Sequence, residues 1–224
     1  LIIKRLSGNS GCNVMLRQKN GLKFVRKISS SHDYNIRLIE QARKQKSFFE
    51  SSLSIKTPRV INEGFIGNLF YFDMEFVNGR CFHDFVSRND IDGILKIFDD
   101  IESFLYKNSQ DKIDVSELIN KKIESLSKQV NLKTYNKYFN HIRSSPWCLT
   151  ASTENCHGDL TFENMIVSQG NLYFIDFLDS YINLKIIDIS KILQDILYFW
   201  SWRHHAKKPI VKNVSLLKKI ESCR

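Results

Sequence analysis

The stretch from Cys156 to Ser180 constrains the fold of this chain more than any other. It places Asp159, Asn164 and Asp176 around two short apolar runs. Between the runs, Gln169-Gly170-Asn171 supplies the turn chemistry of a tight β-hairpin. The sequence therefore predicts a small β-ribbon with a carboxylate, an amide and a second carboxylate at one end.

These residue types and their spacing suit phosphoryl transfer. A transferred phosphoryl group carries spread negative charge, so the protein supplies a carboxylate to orient the attacking hydroxyl and oxygen ligands to hold Mg²⁺. In a kinase catalytic loop, the base Asp precedes a metal-binding Asn by five residues, and a metal-binding Asp follows on the next hairpin. Asp159, Asn164 and Asp176 have this spacing. The alternative is an ordinary hairpin with solvated acids at its mouth.

The motif HGDLTFEN, which starts at His157, and the following IDF resemble the aminoglycoside phosphotransferase and choline kinase-like family. The resemblance implies an α+β, bilobal protein-kinase-like fold. Its N-terminal lobe, residues 1–78, would bind nucleotide with an antiparallel five-stranded sheet and one helix. Its mainly helical C-terminal lobe, residues 79–224, would carry the catalytic hairpin and bind the acceptor. The implied cofactors are ATP and Mg²⁺, with Asp159 as the catalytic residue and Asn164 and Asp176 as metal ligands.

The bulk properties indicate a globular protein of reducing surroundings. The 224 residues are 42% hydrophobic and contain three prolines. No apolar run reaches the ~18 residues of a membrane span. Five cysteines, an odd number without a C-x-x-C pair, argue against a disulfide framework or a structural zinc site. We therefore expect a cytoplasmic protein without a membrane span.

The net charge of +9 raises the question of nucleic-acid binding. The basic residues are spread along predicted helices and concentrate near the C-terminus, without an RNP or zinc-finger pattern. We interpret them as a solvated basic face that suits an anionic nucleotide or acceptor, and we expect no specific nucleic-acid partner. The oligomeric state stays open.

The first residues are predicted to form strands. Asn20-Gly21 lies between two apolar runs and is a strong hairpin signal. Gly8 and Gly11 lie in an earlier turn that would let the backbone approach nucleotide phosphates, although such turns are also ordinary connections. Lys27 lies in a V-x-K context on the third strand, so it is the candidate for the ATP α/β-phosphates; the alternative is a surface lysine.

Residues 35–50 have helical periodicity. The resemblance implies that this helix offers a Glu to the strand lysine. Glu40 lies nearer the helix middle than Glu50, so Glu40 is our candidate partner of Lys27, while an i,i+4 pair with Lys44 is the alternative. The predicted buried stripe consists of Ile36, Ile39, Ala42, Gln45 and Phe49.

Glu75, Phe76 and Val77 resemble the family's hinge, which holds the adenine edge through main-chain groups. The same residues would also make an ordinary buried strand that ends at Gly79. From Phe82 to His141 the pattern is mostly helical, which supports the hinge interpretation because helices follow the strand-rich region.

Four residues around the motif refine the functional hypothesis. His157 is predicted to be structural, bonding backbone near Asp176. Gly158 stands where protein kinases have the Arg that pairs with a phosphorylated activation loop, and only a short segment separates Asp176 from Asp188. Asp188 is predicted either to accept hydrogen bonds from the catalytic-loop backbone or to cap a helix. The role of Asp179 stays open.

The sequence thus predicts an ATP-dependent phosphotransferase that acts on a hydroxyl of a small molecule, such as an aminoglycoside, amino alcohol or sugar. The first alternative is a catalytically silent kinase-like nucleotide-binding module. The second alternative is a protein Ser/Thr kinase, which Gly158 and the short segment after Asp176 disfavour.

Overall fold

The computed structural model describes residues 1–6, 12–51, 55–88, 90–106, 111–130, 132–145, 148–151, 156–178 and 182–203. In these ranges the chain has an N-terminal sheet with one helix and a C-terminal part in which helices predominate. The predicted α+β class is confirmed. No helix in the described part of the chain combines the length and the apolar character that crossing a membrane requires.

The N-terminal sheet has five antiparallel strands in the order β1-β2-β3-β5-β4. Asn20 and Gly21, with φ of 50° and 78°, make the turn between β2 and β3, because a two-residue hairpin of this hand needs positive φ at both positions. The hairpin predicted there is confirmed. The elements are β1 (Ile2–Leu6), β2 (Cys12–Lys19), β3 (Leu22–Ser29), α1 (Asn35–Ser51), β4 (Val60–Ile66) and β5 (Leu69–Glu75).

Helix α1 packs on the sheet through a face that differs from the predicted one. Ile36 is 75% exposed and Phe49 is 46% exposed, so the predicted apolar stripe is wrong at these positions. The buried face keeps the predicted Gln45, adds Gln41 and ends at Phe48. Gln45 donates to the carbonyl of Pro58 at 2.6 Å, which satisfies its buried amide.

The C-terminal part begins after the connecting residues 76–79. Gly79 permits this connection to pass close to the hairpin, since an added Cβ would overlap Ile166 and Val167. A 3₁₀ turn, Trp200–Trp202, follows the last helix of the described residues. The elements are β6 (Arg80–Cys81), α2 (Phe82–Arg88), α3 (Ile91–Tyr106), β7 (Asp111–Asp114), α4 (Ser116–Ser127), α5 (Leu132–Ser144), β8 (Cys148–Ala151), β9 (Met165–Ser168), β10 (Asn171–Phe174) and α6 (Lys185–Tyr198).

The predicted catalytic hairpin is the pair β9 and β10, with Ser168 opposite Asn171. Gln169 and Gly170 have φ of 51° and 74°, as the turn requires. An aromatic cluster packs against the hairpin: the ring centroids of Phe48 and Phe174 lie 5.8 Å apart, and those of Phe48 and Phe177 lie 5.0 Å apart. Because Phe48 belongs to α1, this core joins the N-terminal helix to the base of the hairpin.

Candidate active site

The loop before β9 is held by Asp188, a fully buried carboxylate on α6. Its two oxygens accept hydrogen bonds from the backbone N–H groups of His157 and Gly158, each at 2.7 Å. Burial raises the pKa of Asp188 to about 6. The helix-cap alternative is wrong, because α6 begins at Lys185 with Leu184 as its N-cap residue. Asp188 therefore fixes the backbone that carries Asp159.

His157 is fully buried and links the loop to the hairpin, as predicted. Its Nε2 lies 2.8 Å from the carbonyl oxygen of Ile175, and its Nδ1 accepts from the N–H of Asp159 at 3.2 Å. These two bonds need Nε2 protonated and Nδ1 bare, which is the neutral ring. Burial accordingly lowers the pKa of His157 to about 4. A neutral, doubly bonded ring suits a structural role.

Asp159 and Asn164 lie together at the mouth of the loop. The Nδ2 of Asn164 donates to the backbone oxygen of Asp159 at 2.8 Å and to its Oδ2 at 3.2 Å. The other oxygen of Asp159 pairs with Nζ of Lys191 at 2.9 Å, and the Asp159 side chain is 25% exposed. The predicted base thus lies within reach of solvent and is oriented from two sides.

A second buried carboxylate supports the end of the loop. Asp195, on α6, accepts from the N–H groups of Phe162 at 2.7 Å and Ser201 at 2.6 Å. Burial raises its pKa. Asp188, Lys191 and Asp195 follow one another at three- and four-residue spacing, so one face of α6 supplies three polar contacts to the loop.

Asp176 follows β10 and points towards the N-terminal sheet. Its Oδ1 lies 2.6 Å from Nζ of Lys27, which is 3% exposed. Burial by itself would raise the pKa of Asp176, but the charge and hydrogen bond of Lys27 outweigh it and hold that pKa below its ordinary value. Asp176 has φ of 64°, a left-handed conformation that costs a non-glycine residue about 1 kcal/mol or more.

The two halves of the site are tied together through the backbone. The N–H of Ile175 donates to the carbonyl of Asn164 at 3.0 Å. Asn164 and Asp176 are therefore held at the same end of the hairpin, as the sequence predicts. Lys27 is 3% exposed and contacts Asp176, which excludes the surface-lysine alternative. Its neighbour Arg26 pairs instead with Asp73 at 2.6 Å.

One predicted contact is absent from the described part of the chain. Glu40 does not pair with Lys27; its carboxylate accepts from Nε of Arg43 at 2.7 Å on the exposed side of α1. The helix instead brings Lys44 to this region, where its Nζ donates to the carbonyl of Leu178 at 2.7 Å. The correction has a geometric cause, because position 40 lies outside the buried face that Gln41 and Phe48 define.

Several predicted residues are not brought into the site by described contacts. Glu75 ends β5 and pairs with Arg59 at 3.2 Å. Phe76 and Val77 lie in the connection after β5, so their hinge role stays a prediction, as does the lobe boundary at residue 78. Gly8, Gly11 and Asp179, together with the side chain of Glu50, lie outside the described residues.

Sequence interpretation missed Lys44, Lys191 and Asp195. The signal for the last two was present: they extend the three- and four-residue spacing that begins at Asp188. Lys44 gave no such signal, because a lysine on a basic amphipathic helix normally faces solvent. Its partners are more than 130 residues away in the sequence.

The donor atoms fit a magnesium ion that also binds phosphate. In the described ranges, no cluster of three His, Cys, Asp or Glu residues could hold a metal alone. Mg²⁺ is usually bound by one or two protein oxygens, with substrate phosphates and water completing its shell. Since Nδ2 of Asn164 is engaged with Asp159, its Oδ1 is available as an oxygen donor, and the Asp176 carboxylate at the same end of the hairpin is a second one.

Comparison with known proteins identifies the fold. No protein-family model matches the sequence, and no curated protein matches it. Among solved structures, the chain is similar to the "Putative fructosamine-3-kinase from Haemophilus somnus 129PT". The TM-score is 0.60 at 14% identity, and the similarity covers 100% of this chain and 77% of that one. The chain therefore has a bilobal protein-kinase-like fold.

A kinase domain, PknI of Mycobacterium tuberculosis, is also similar, at 12% identity over 79% of this chain and 57% of that one. Its TM-score of 0.38 is too low to support an argument. At these levels of identity, the similarities establish the architecture, and the chemistry of this chain rests on its own residues.

Proposed function

We propose that this protein is an ATP-dependent phosphotransferase that moves the γ-phosphoryl group to a hydroxyl of a small molecule. The observation that carries the proposal is the juxtaposition of Asp159, Asn164 and Asp176 at one end of the β9–β10 hairpin, with Lys27 bonded to Asp176 at 2.6 Å. Two half-buried carboxylates, an amide and a buried lysine are the groups that phosphoryl transfer needs.

In this mechanism Asp159 accepts the hydrogen bond of the acceptor hydroxyl and orients its oxygen for in-line attack. As the P–O bond to the acceptor forms and the bond to the leaving diphosphate breaks, the hydroxyl proton passes to the carboxylate. Asn164 keeps the carboxylate oriented through its Nδ2. Lys191, 2.9 Å from the same carboxylate, places a positive charge beside the reacting atoms.

Lys27 would turn from Asp176 to the α- and β-phosphates of the nucleotide, and main-chain groups near Glu75 to Val77 would hold its base. Oδ1 of Asn164 and the carboxylate of Asp176 would hold Mg²⁺, which neutralises charge on the phosphate oxygens when bound. The left-handed backbone at Asp176 aims its carboxylate back across the hairpin towards Lys27. Each residue thus has a role that its position permits.

The acceptor is proposed to be a small hydroxylated molecule. A regulated protein kinase is disfavoured because Gly158 cannot pair with a phosphorylated loop. A side chain at this position would overlap the carbonyl oxygen of Leu178. Cytoplasmic location and the lack of a specific nucleic-acid partner stay predictions.

The test is transfer of the γ-phosphoryl group from ATP to a panel of aminoglycosides, amino alcohols and sugars. Asp159→Asn should lower the rate by about 10²–10⁴-fold because it removes the base, and Asp176→Ala should abolish Mg²⁺-dependent transfer. Asp84→Asn is the matched control, since Asp84 pairs with Arg88 on the exposed side of α2. Equal transfer by all four proteins would contradict the proposal.

The alternative is a silent nucleotide-binding module, and the Lys27–Asp176 ion pair gives it a specific basis. If that pair never opens, neither residue is available for phosphates or metal. A ligand at 100 times its Kd adds about 2.7 kcal/mol to stability, so Mg²⁺-ATP should raise Tm by several degrees. If the ion pair stays closed, the shift in Tm should be absent or independent of Mg²⁺; that result without transfer to any acceptor would favour the module, whereas transfer would exclude it.

A further inference from the structure

Lys44 crosses from the N-terminal helix to the catalytic segment. Its Nζ donates to the carbonyl oxygen of Leu178 at 2.7 Å and to Oδ1 of Asn183 at 2.8 Å, 134 and 139 residues along the chain. Both acceptors are uncharged. Because the donor is an ammonium group, each of these two hydrogen bonds is charge-assisted.

The residue that Lys44 reaches is held from both sides. The N–H of Leu178 donates to the carbonyl of His157 at 3.0 Å, and its own carbonyl accepts from Lys44. Gly158 makes the close approach possible: at φ of 91° it has no Cβ to overlap the Leu178 oxygen. Leu178 thus joins three elements, α1, the catalytic loop and the segment that follows Asp176.

Two lysines of the N-terminal lobe form hydrogen bonds to the same short segment, residues 176–178. Lys27 holds Asp176, and Lys44 holds the peptide two residues further on. When a nucleotide draws Lys27 towards its phosphates, the first of these contacts is lost. The contact of Lys44 does not compete with phosphate binding at Lys27, so it can keep the segment in place while Asp176 changes partner.

We infer that Lys44 is a positioning residue that acts through Leu178 to keep Asp176 aligned with Asp159 and Lys27. The inference rests on the proposed phosphotransfer function. It assigns to this chain a cation on α1 where Glu40 was expected to supply an anion, and it gives the helix a contact with the site that does not involve Glu40. Phe48, whose ring centroid lies 5.0 Å from that of Phe177 at an interplanar angle of 52°, adds an apolar contact between the same helix and the same segment.

The test compares Lys44→Met with Lys44→Arg. Lys46→Met is the matched control, because Lys46 lies on the same helix and pairs with Glu63 on the surface at 2.7 Å. The first readout needs no ligand: hydrogen exchange of the Leu178 amide. We expect exchange about 10-fold faster in Lys44→Met, without a matching change at Phe72 in the sheet core, because local opening becomes easier there.

The second readout separates binding from chemistry. ADP affinity in EDTA should stay within about twofold, since Lys27 is intact, whereas kcat should fall roughly 10–100-fold through misplacement of Asp176. Lys44→Arg should restore most of the kcat, because a guanidinium keeps the donors. Should Lys44→Met fail to fold, Asn183→Ala, which removes one of the two acceptors, should show the same pattern more weakly.

Unchanged Leu178 exchange in Lys44→Met would overturn the inference, as would an equal rise in exchange across the sheet core, which would mark a merely structural role. Failure of the wild-type protein to transfer phosphate would instead overturn the proposed function, while the exchange measurement would still decide whether Lys44 clamps the segment.

Discussion

His157 makes folding depend on pH in a direction that its hydrogen bonds fix. The ring accepts at Nδ1 from the N–H of Asp159 and bonds at Nε2 to the carbonyl of Ile175. Protonation of Nδ1 would place its N–H opposite the N–H of Asp159 inside the core, where two donors repel each other. The folded protein therefore resists a proton that the unfolded chain accepts readily.

The magnitude follows from the two pKa values. An unperturbed histidine has a pKa of about 6.5, and burial lowers the pKa of His157 to about 4. Between these values the unfolded chain binds more protons, so stability falls as pH falls. The full difference corresponds to about 3 kcal/mol, of which about 2 kcal/mol is lost by pH 5.

Asp188 opposes this effect. Burial raises its pKa to about 6, so the folded protein binds the extra proton and gains stability as pH falls, by about 1 kcal/mol at pH 5. The two contributions partly cancel in the wild-type protein. The effect of His157 must therefore be read as a difference between wild type and a variant.

The assay is urea denaturation of wild type and His157→Gln between pH 7.5 and pH 5. Gln keeps a donor for Ile175 and cannot titrate, so the stability advantage of the wild type should shrink by about 2 kcal/mol over this range. His141→Gln, on the exposed helix α5, is the control for replacing a histidine by glutamine. A wild-type advantage over His157→Gln that does not change with pH would refute the reasoning.

Three further outcomes are expected. Gly158→Ala should lower Tm by several degrees and reduce transfer, because its Cβ would overlap the carbonyl of Leu178 at a φ that favours glycine; an unchanged melting curve would contradict this. Asp195→Ala should cost about 2–5 kcal/mol in urea denaturation, since two backbone N–H groups lose their acceptor. Lys27→Met should weaken ADP binding in EDTA by at least about 10-fold; retention of wild-type affinity would argue against a phosphate contact. The same substitution removes the positive charge beside Asp176, so carboxyl NMR should show a raised pKa for Asp176.

The sequence predicted the parts of the fold that local chemistry decides. The turns at Asn20-Gly21 and Gln169-Gly170 could be predicted because few residue types adopt the positive φ that these turns need. The spacing of Asp159 and Asn164 predicted their approach, since a short loop leaves little freedom. The five-stranded antiparallel sheet was implied by the family resemblance, and the turn signals placed strands in this part of the chain.

The remaining features depend on long-range packing, which periodicity does not report. Ile36 and Phe49 are exposed although they are apolar, while Gln41 is buried. Packing against the sheet and the aromatic cluster determines which face of α1 is buried. Lys44 contacts residues that local patterns cannot link to it. The strand pair β7 and β8 was likewise not predicted, since its partners lie far apart in the chain.

The Lys27–Asp176 ion pair also bears on how the chain is made. Its two residues are 149 positions apart, so at 5–20 residues per second roughly 7–30 s separate their emergence from the ribosome. During that interval the N-terminal sheet holds a lysine in its interior without the carboxylate that neutralises it, which is a costly state. We therefore expect a nascent N-terminal lobe to stay loosely folded, and residues 1–78 expressed alone to be a poor folding unit.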